Sequence, residues 1–356
     1  MIANPVLFAR KHIDISKYDF FDVLTIVATF VWWFAAAFDP IGLFGGIRYV
    51  ALITVYIVLS LKIVFKRYRF RLAKGYLALF VLFVVFIPLY GIVVGFIRGG
   101  MGGRFIDTSY IAAGILFAGS LIYFDDKIDL EVFLKIAIFV LRLLSALIML
   151  CLLTVLMGWS RAWIYQLVSH GLMLFRQRHY GSVTLPYLYV ITSPMLIFLL
   201  SYDTWRLCDK PSLRRILILL ITAAALFLSG TRAHIITSII GVLFVALWHR
   251  YRRPSIMYFF AFLIAVLLVF IAFESSVVMD MFSAKDNSNS IKIAYLNSYA
   301  KILSDPITAI FGQGFNAHVW SQELNAIVGN GSASRTELTY IEFARVFGLV
   351  GLCVVL

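Results

Sequence analysis

The chain of 356 residues is 62% hydrophobic and only 14% charged, with a mean hydropathy of +0.94, which excludes an ordinary soluble domain. A formal charge of +13 would suggest nucleic acid as partner in a soluble protein. Here the apolar residues come in runs of roughly 15–25, the length that crosses a ~30 Å hydrocarbon core, so the charge is read as topology and anionic ligands, with no nucleic acid.

The expected fold is all-α, a polytopic membrane protein of about ten transmembrane helices with a long outer loop before the last span. The polar start with Arg10-Lys11-His12 leads into the first span without a small-residue cleavage site, so no cleaved leader is expected. Spans are expected at about 20–38, 47–65, 76–97, 108–124, 133–157, 183–201, 216–230, 234–248, 256–273 and 341–356. Breaks are set by Asp39-Pro40, the basic run Lys66 to Lys74, Arg98-Gly99-Gly100 and Asp125-Asp126-Lys127. Residues 1–356 read as a single integral membrane domain, with 274–340 as its outer, periplasmic or extracellular loop. The last apolar run is short for a finished helix, pointing to truncation at Leu356 or to further spans.

Lysine and arginine are densest at 66–74 and 249–253, which places both loops, and the N terminus, in the cytoplasm. The outer segments nevertheless keep Arg98, Arg104, Arg161, Arg176, Arg178 and Arg335. Any one of them is best read as a headgroup anchor. As a set they point to an anionic ligand handled outside, because a guanidinium fork matches phosphate and carboxylate. Lys135 and Arg142, seven apart, share a helix face that is expected to look into the bundle, and Arg48 and Arg345 also lie in or beside spans. Cys151 and Cys353 in apolar runs and Cys208 in a basic loop form no disulfide framework. Asp125, Asp126 and Asp129 read as a solvated loop rather than a metal site, and no cofactor is expected.

Two polar regions interrupt this pattern. Ser229-Gly230-Thr231-Arg232-Ala233-His234 separates two apolar runs; Arg232 there either snorkels to headgroups or binds a ligand, and His234 reads as a structural, hydrogen-bonded group. In the outer loop, Ile291, Ala294, Tyr295 and Tyr299 share a helical face, followed by Ser304-Asp305-Pro306 and by Phe311-Gly312-Gln313-Gly314-Phe315-Asn316-Ala317-His318. The glycine pair reads as a turn rather than a phosphate loop, since no strand precedes it. Arg335-Thr336-Glu337 then runs into the last span, and Glu337 is either a solvated helix-start acid or a general base for a sugar hydroxyl.

Leu228-Ser229-Gly230-Thr231-Arg232, Asp305-Pro306 with Phe311 to Phe315, and the stretch from Glu337 to Gly351 together resemble the O-antigen polymerase and O-antigen ligase superfamily of bacterial envelope glycosyltransferases. The resemblance covers roughly the last 150 residues. It implies an inner-membrane enzyme that takes an undecaprenyl-diphosphate-linked glycan as donor, surrounded by membrane lipid, with other assembly proteins such as a chain-length regulator as candidate partners. On that reading Arg232 binds the donor diphosphate, with Arg104, Arg161 or Arg335 as helpers, and guanidinium contacts offset leaving-group charge without a metal. Glu337-Leu338 stands where ligases read His-Asn, which favours a polymerase, and His318 is a second candidate base. The alternatives are a ligase that moves glycan onto a lipid core, and a transporter or flippase for an anionic glycolipid. The latter lacks paired interrupted helices in matching halves.

Overall fold

A computed structural model describes residues 18–39, 46–65, 74–98, 108–124, 128–180, 183–229, 232–249, 287–315 and 339–355. The chain divides into two units, one of residues 1–69 and 125–278, the other of residues 70–124 and 279–356.

The first unit opens with α1 (Phe20–Phe38), whose start is fixed by a reciprocal capping box: Asp22 N donates to Asp19 Oδ1 at 3.0 Å, and Asp19 N donates to Asp22 Oδ2 at 3.2 Å. Asp22 also receives the ammonium of Lys62, 2.8 Å away on α2 (Ile47–Val64), in a pair that is almost wholly buried. An ion pair in an apolar interior is tolerated only when both partners are matched, so this contact fixes the register of α1 against α2. α1 ends at Asp39, before Pro40, as a proline requires of the residue it follows.

α6 (Leu130–Leu156) has 27 residues, about 40 Å of helix, more than the hydrocarbon core demands. Its buried stripe of Leu141, Leu144, Ile148 and Cys151 packs into one core with α7 (Ala162–Ser169), α8 (Leu196–Asp209) and α9 (Leu213–Ser229). Across this core Arg142 of α6 forms a two-pronged pair with Asp203 of α8, and Thr222 of α9 donates to Asp203 at 2.8 Å. Three helices are thereby tied through one buried carboxylate. Arg142 is thus drawn across to α8, while Lys135, on the same helix, pairs with Glu131 one turn back.

The expected span at 183–201 is overturned. Met173–Tyr180 (β1) and Val183–Val190 (β2) form an antiparallel hairpin in which Arg176 opposes Tyr187 and Gln177 opposes Pro186. The β-branched and aromatic residues of Val183-Thr184-Leu185-Pro186-Tyr187-Leu188-Tyr189-Val190 favour a strand, and Pro186 would break a helix but is tolerated where each strand is an edge. The helix begins only at Leu196, through a 3₁₀ turn Ser193–Met195 opened by Pro194, and continues to Asp209. Two hydroxyls anchor this junction: Thr192 Oγ1 donates to the Ala37 carbonyl at 2.7 Å and Ser193 Oγ to the Ser229 carbonyl at 3.1 Å. α10 (Arg232–His249) completes the described part of the unit.

In the second unit α3 (Lys74–Val81) passes through a π turn, Leu82–Phe86, into α4 (Ile87–Ile97). Pro88 explains the wide turn, because it removes one donor from the ladder and its ring crowds the turn before it. α5 (Thr108–Gly119) follows, closed by a 3₁₀ turn Ser120–Phe124, with Phe117 stacked on Tyr76. The unit ends with α11 (Asn287–Leu303), α12 (Pro306–Phe311) and α13 (Thr339–Val355), so the described part of the expected outer loop carries α11 and α12.

The chain is an all-α polytopic membrane protein, with the hairpin as the departure from helix among the described residues. Phe20–Phe38, Gly75–Ile97 and Leu130–Leu156 are long and apolar enough to cross a membrane; Tyr49–Val64, Ala113–Tyr123 and His234–Trp248 are shorter apolar helices. The outward residues of α3 and α4 are themselves apolar, with Leu79, Val85, Leu89 and Phe96 exposed, as a lipid-facing surface requires. The expected span at 256–273 lies outside the described residues.

Candidate functional site

The motif residues of the C-terminal region converge within the second unit. Asp305 caps α12, accepting from Thr308 N at 3.1 Å and Thr308 Oγ1 at 2.6 Å, with Pro306 in the first turn. Arg98, at the end of α4, donates to Asp305 at 2.9 Å and to Thr308. The Thr308 hydroxyl, the Arg98 guanidinium and the Thr308 amide together hold the Asp305 carboxyl down at about 2.

Beyond α12 the chain meets a break in α13. Gly348 has φ 64° and ψ −169°, and Gly312 φ 74° and ψ −172°, a conformation essentially reserved for glycine. A side chain at Gly312 would overlap the Val346 carbonyl, and one at Gly348 the Ile310 carbonyl. A helix break takes the carbonyls of the preceding turn out of the helical ladder, and they need other donors. Here the Arg345 and Val346 carbonyls accept from Gln313 N at 2.7 Å and Gly314 N at 2.9 Å, and Phe315 N reaches the Gly91 carbonyl of α4 at 2.9 Å. The Phe315 ring then packs edge-on against Phe347. The expected glycine turn is therefore a close-packed seam joining three helices.

Beneath the seam lies a buried polar network. Arg345 donates from Nε and Nη2 to Glu342, and from Nη1 to Gln313 Oε1 at 3.0 Å, while the Tyr299 hydroxyl of α11 donates to Glu342. Glu342 and Arg345 are each 2% exposed. With both oxygens engaged by a cation and a phenol, Glu342 is an anchor rather than a proton acceptor.

Of the six site residues expected from the sequence, two fall on described backbone, both in the first unit. Arg161 is the exposed N-cap of α7 and makes no capping bond through its side chain. Arg232 is the first residue of α10, just past the end of α9 that Ser193 holds through Ser229; its side chain lies outside the described residues. Arg104, His318, Arg335 and Glu337 lie outside the described residues altogether. Residues 316–338, which include His318, Arg335 and Glu337, come in the chain between Phe315 at the seam and Thr339 at the start of α13. His234 is half-buried in the first turn of α10. Among the described residues no group of three or more His, Cys, Asp or Glu is placed to hold a metal ion.

Tyr299, Gln313, Glu342 and Arg345 were not among the expected site residues. Opposite charges three residues apart inside an apolar run were the available signal for the last two, because neither is tolerated there alone. Tyr299 and Gln313 carry no such mark; only the tertiary fold brings them to the pair.

Residues 217–356 match the family model described as Wzy_C, O-Antigen ligase. This bears out, over that region, the resemblance to the O-antigen polymerase and ligase superfamily. The matched region runs from within α9 to the end of α13 and contains the α9–α10 junction, the α12 and α13 sides of the seam and the buried network. No curated protein and no solved structure matches the chain.

Proposed function

We propose that this protein is a glycosyltransferase that polymerises undecaprenyl-diphosphate-linked oligosaccharide repeat units on the outer face of the bacterial inner membrane. The match of residues 217–356 to the O-Antigen ligase model carries this reading. Its support within the chain is Arg232 at the first position of α10. A cation at a helix N terminus meets the positive end of the helix dipole, costing roughly 0.3–1 kcal/mol unless an anion lies across both. A diphosphate relieves that conflict.

In the proposed step, a hydroxyl of the acceptor sugar attacks the donor's anomeric carbon. A new glycosidic bond forms, the bond to the diphosphate oxygen breaks, and the hydroxyl proton passes to Glu337, with His318 as second candidate base. Arg232, helped by Arg104, Arg161 or Arg335, stabilises the charge that grows on the departing diphosphate, so the step proceeds without a metal. The seam and the Glu342–Arg345 pair act as positioning elements for the segment that bears the base. Glu337-Leu338, in place of the His-Asn of ligases, favours polymerisation over transfer to a lipid core. N terminus in the cytoplasm, a single functional domain and cooperation with a chain-length regulator belong to the same proposal.

The test is glycan length in cells lacking the gene, complemented at matched membrane expression. Wild type restores long chains, and Arg232→Ala and Glu337→Gln leave single repeat units. Normal chains in both variants would remove the two assigned roles, and a change confined to core attachment or lipid flipping would replace the polymerase by a ligase or a transporter.

A further inference from the structure

At the junction of α6, α8 and α9, within the first unit, a cavity of about 430 Å³ is lined by Arg142, Arg206, Lys210, Arg214 and Arg215, with Asp203 as its one carboxylate among the described residues. That carboxylate is already committed to Arg142 and Thr222. Arg215, itself part of the lining, donates to the carbonyls of Arg206 and Lys210, which closes the α8–α9 turn. The side chains of Arg206, Lys210 and Arg214 have no carboxylate partner among the described residues. Like charges gathered around a concavity repel, and an anion inside it removes the repulsion.

The surroundings identify the anion's carrier. Leu213 and Leu217 flank Arg214 on α9 and are 74% and 52% exposed, one turn apart on an outward apolar face. Acyl chains can lie along that face while the headgroup enters the basic pocket. We propose that this pocket is a binding site for the phosphodiester headgroup of an anionic phospholipid, separate from the site of glycan transfer and independent of that chemistry. Basic pockets between helices are suited to such headgroups, and phosphate is held best by guanidinium forks.

The experiment is native mass spectrometry of the full chain purified in detergent and titrated with phosphatidylglycerol or phosphatidylcholine. Wild type is expected to retain phosphatidylglycerol preferentially. Arg206→Gln with Arg214→Gln should weaken it about thirtyfold, from two lost basic contacts near a headgroup. Arg206→Lys with Arg214→Lys should keep part of the preference, and Lys292→Gln with Lys301→Gln, which removes the same charge elsewhere, should keep all of it. Among the described residues neither Arg206 nor Arg214 has a carboxylate partner, so unfolding temperatures in lipid-free detergent should match wild type. Equal retention of both lipids, or equal loss in both glutamine pairs, would overturn the proposal. Displacement of phosphatidylglycerol by millimolar inorganic phosphate would overturn the lipid as source and leave a soluble phosphate site.

Discussion

Single residues carry disproportionate weight in this chain, because an apolar surround multiplies the cost of an unmatched charge. Arg345→Met should leave the Glu342 carboxyl buried without its cation and, among the described residues, held by Tyr299 alone, lowering stability by about 3–5 kcal/mol. Joint replacement by Glu342→Leu and Arg345→Met should recover much of that loss, and thermal unfolding in detergent distinguishes the two outcomes. Asp305 gives a different signature because it is half-exposed and paired with Arg98. Its folded value of about 2 lies below the ordinary 3.8, so its contribution is fully present above pH 3.8 and disappears as pH falls through about 2. Protection of the Thr308 amide from hydrogen exchange should therefore hold at pH 5 and drop at pH 2, and Arg98→Gln should move the drop upward. Arg345 was visible in the sequence as a charge in an apolar run. Its partner Gln313, 32 residues away in the chain, and Tyr299, which donates to Glu342 from 43 residues away, were not, since nothing local marks a residue that a distant ion pair will find.

Elements explain where hydropathy succeeds and where it fails. α1 was legible at about Phe20–Phe38, because Asp39-Pro40 ends a long apolar run; the capping box of Asp19 and Asp22 that fixes its start is seen in the structure. The stretch 183–201 was misread because an apolar average does not separate a strand followed by a helix from one helix; Pro186 and the Gly181-Ser182 pair between two β-rich runs were the discriminating signals. The hairpin makes a direct prediction. Cysteines replacing Arg176 and Tyr187, in a chain whose Cys151, Cys208 and Cys353 are changed to Ala, should form a disulfide under mild oxidation, since the two positions are Cα partners. Failure to cross-link would restore the helical reading of 183–201. The seam makes another: Gly348→Ala should cost about 1–3 kcal/mol in backbone strain alone, and more through overlap with the Ile310 carbonyl, read as a lower unfolding temperature. The same substitution at Gly75, where nothing crowds the site, should be silent.

For the whole molecule, composition settled the solvent, and the span pattern followed from it. Ten bundled spans cannot be counted on the described helices, of which three are long and apolar enough to cross. The functional region was legible as motif order, and the fold gives those motifs a physical role. Asp305-Pro306 starts a short helix, the glycines of 312 and 348 let two backbones meet, and Glu342 and Arg345 lock them. What motif order does not reveal is which of these residues faces substrate, because anchors and reactive groups are drawn from the same polar set. The proposed division assigns anchoring to the buried network and chemistry to Arg232 and Glu337.

The most direct measurement is product length from purified protein in liposomes supplied with undecaprenyl-diphosphate-linked repeat units as the only sugar substrate. The account predicts a ladder of lengthening lipid-linked glycans with release of undecaprenyl diphosphate, and no ladder from Arg232→Ala or Glu337→Gln protein that unfolds at the wild-type temperature. Repeat units that remain single with wild type, and move only when a lipid core acceptor is added, would contradict it.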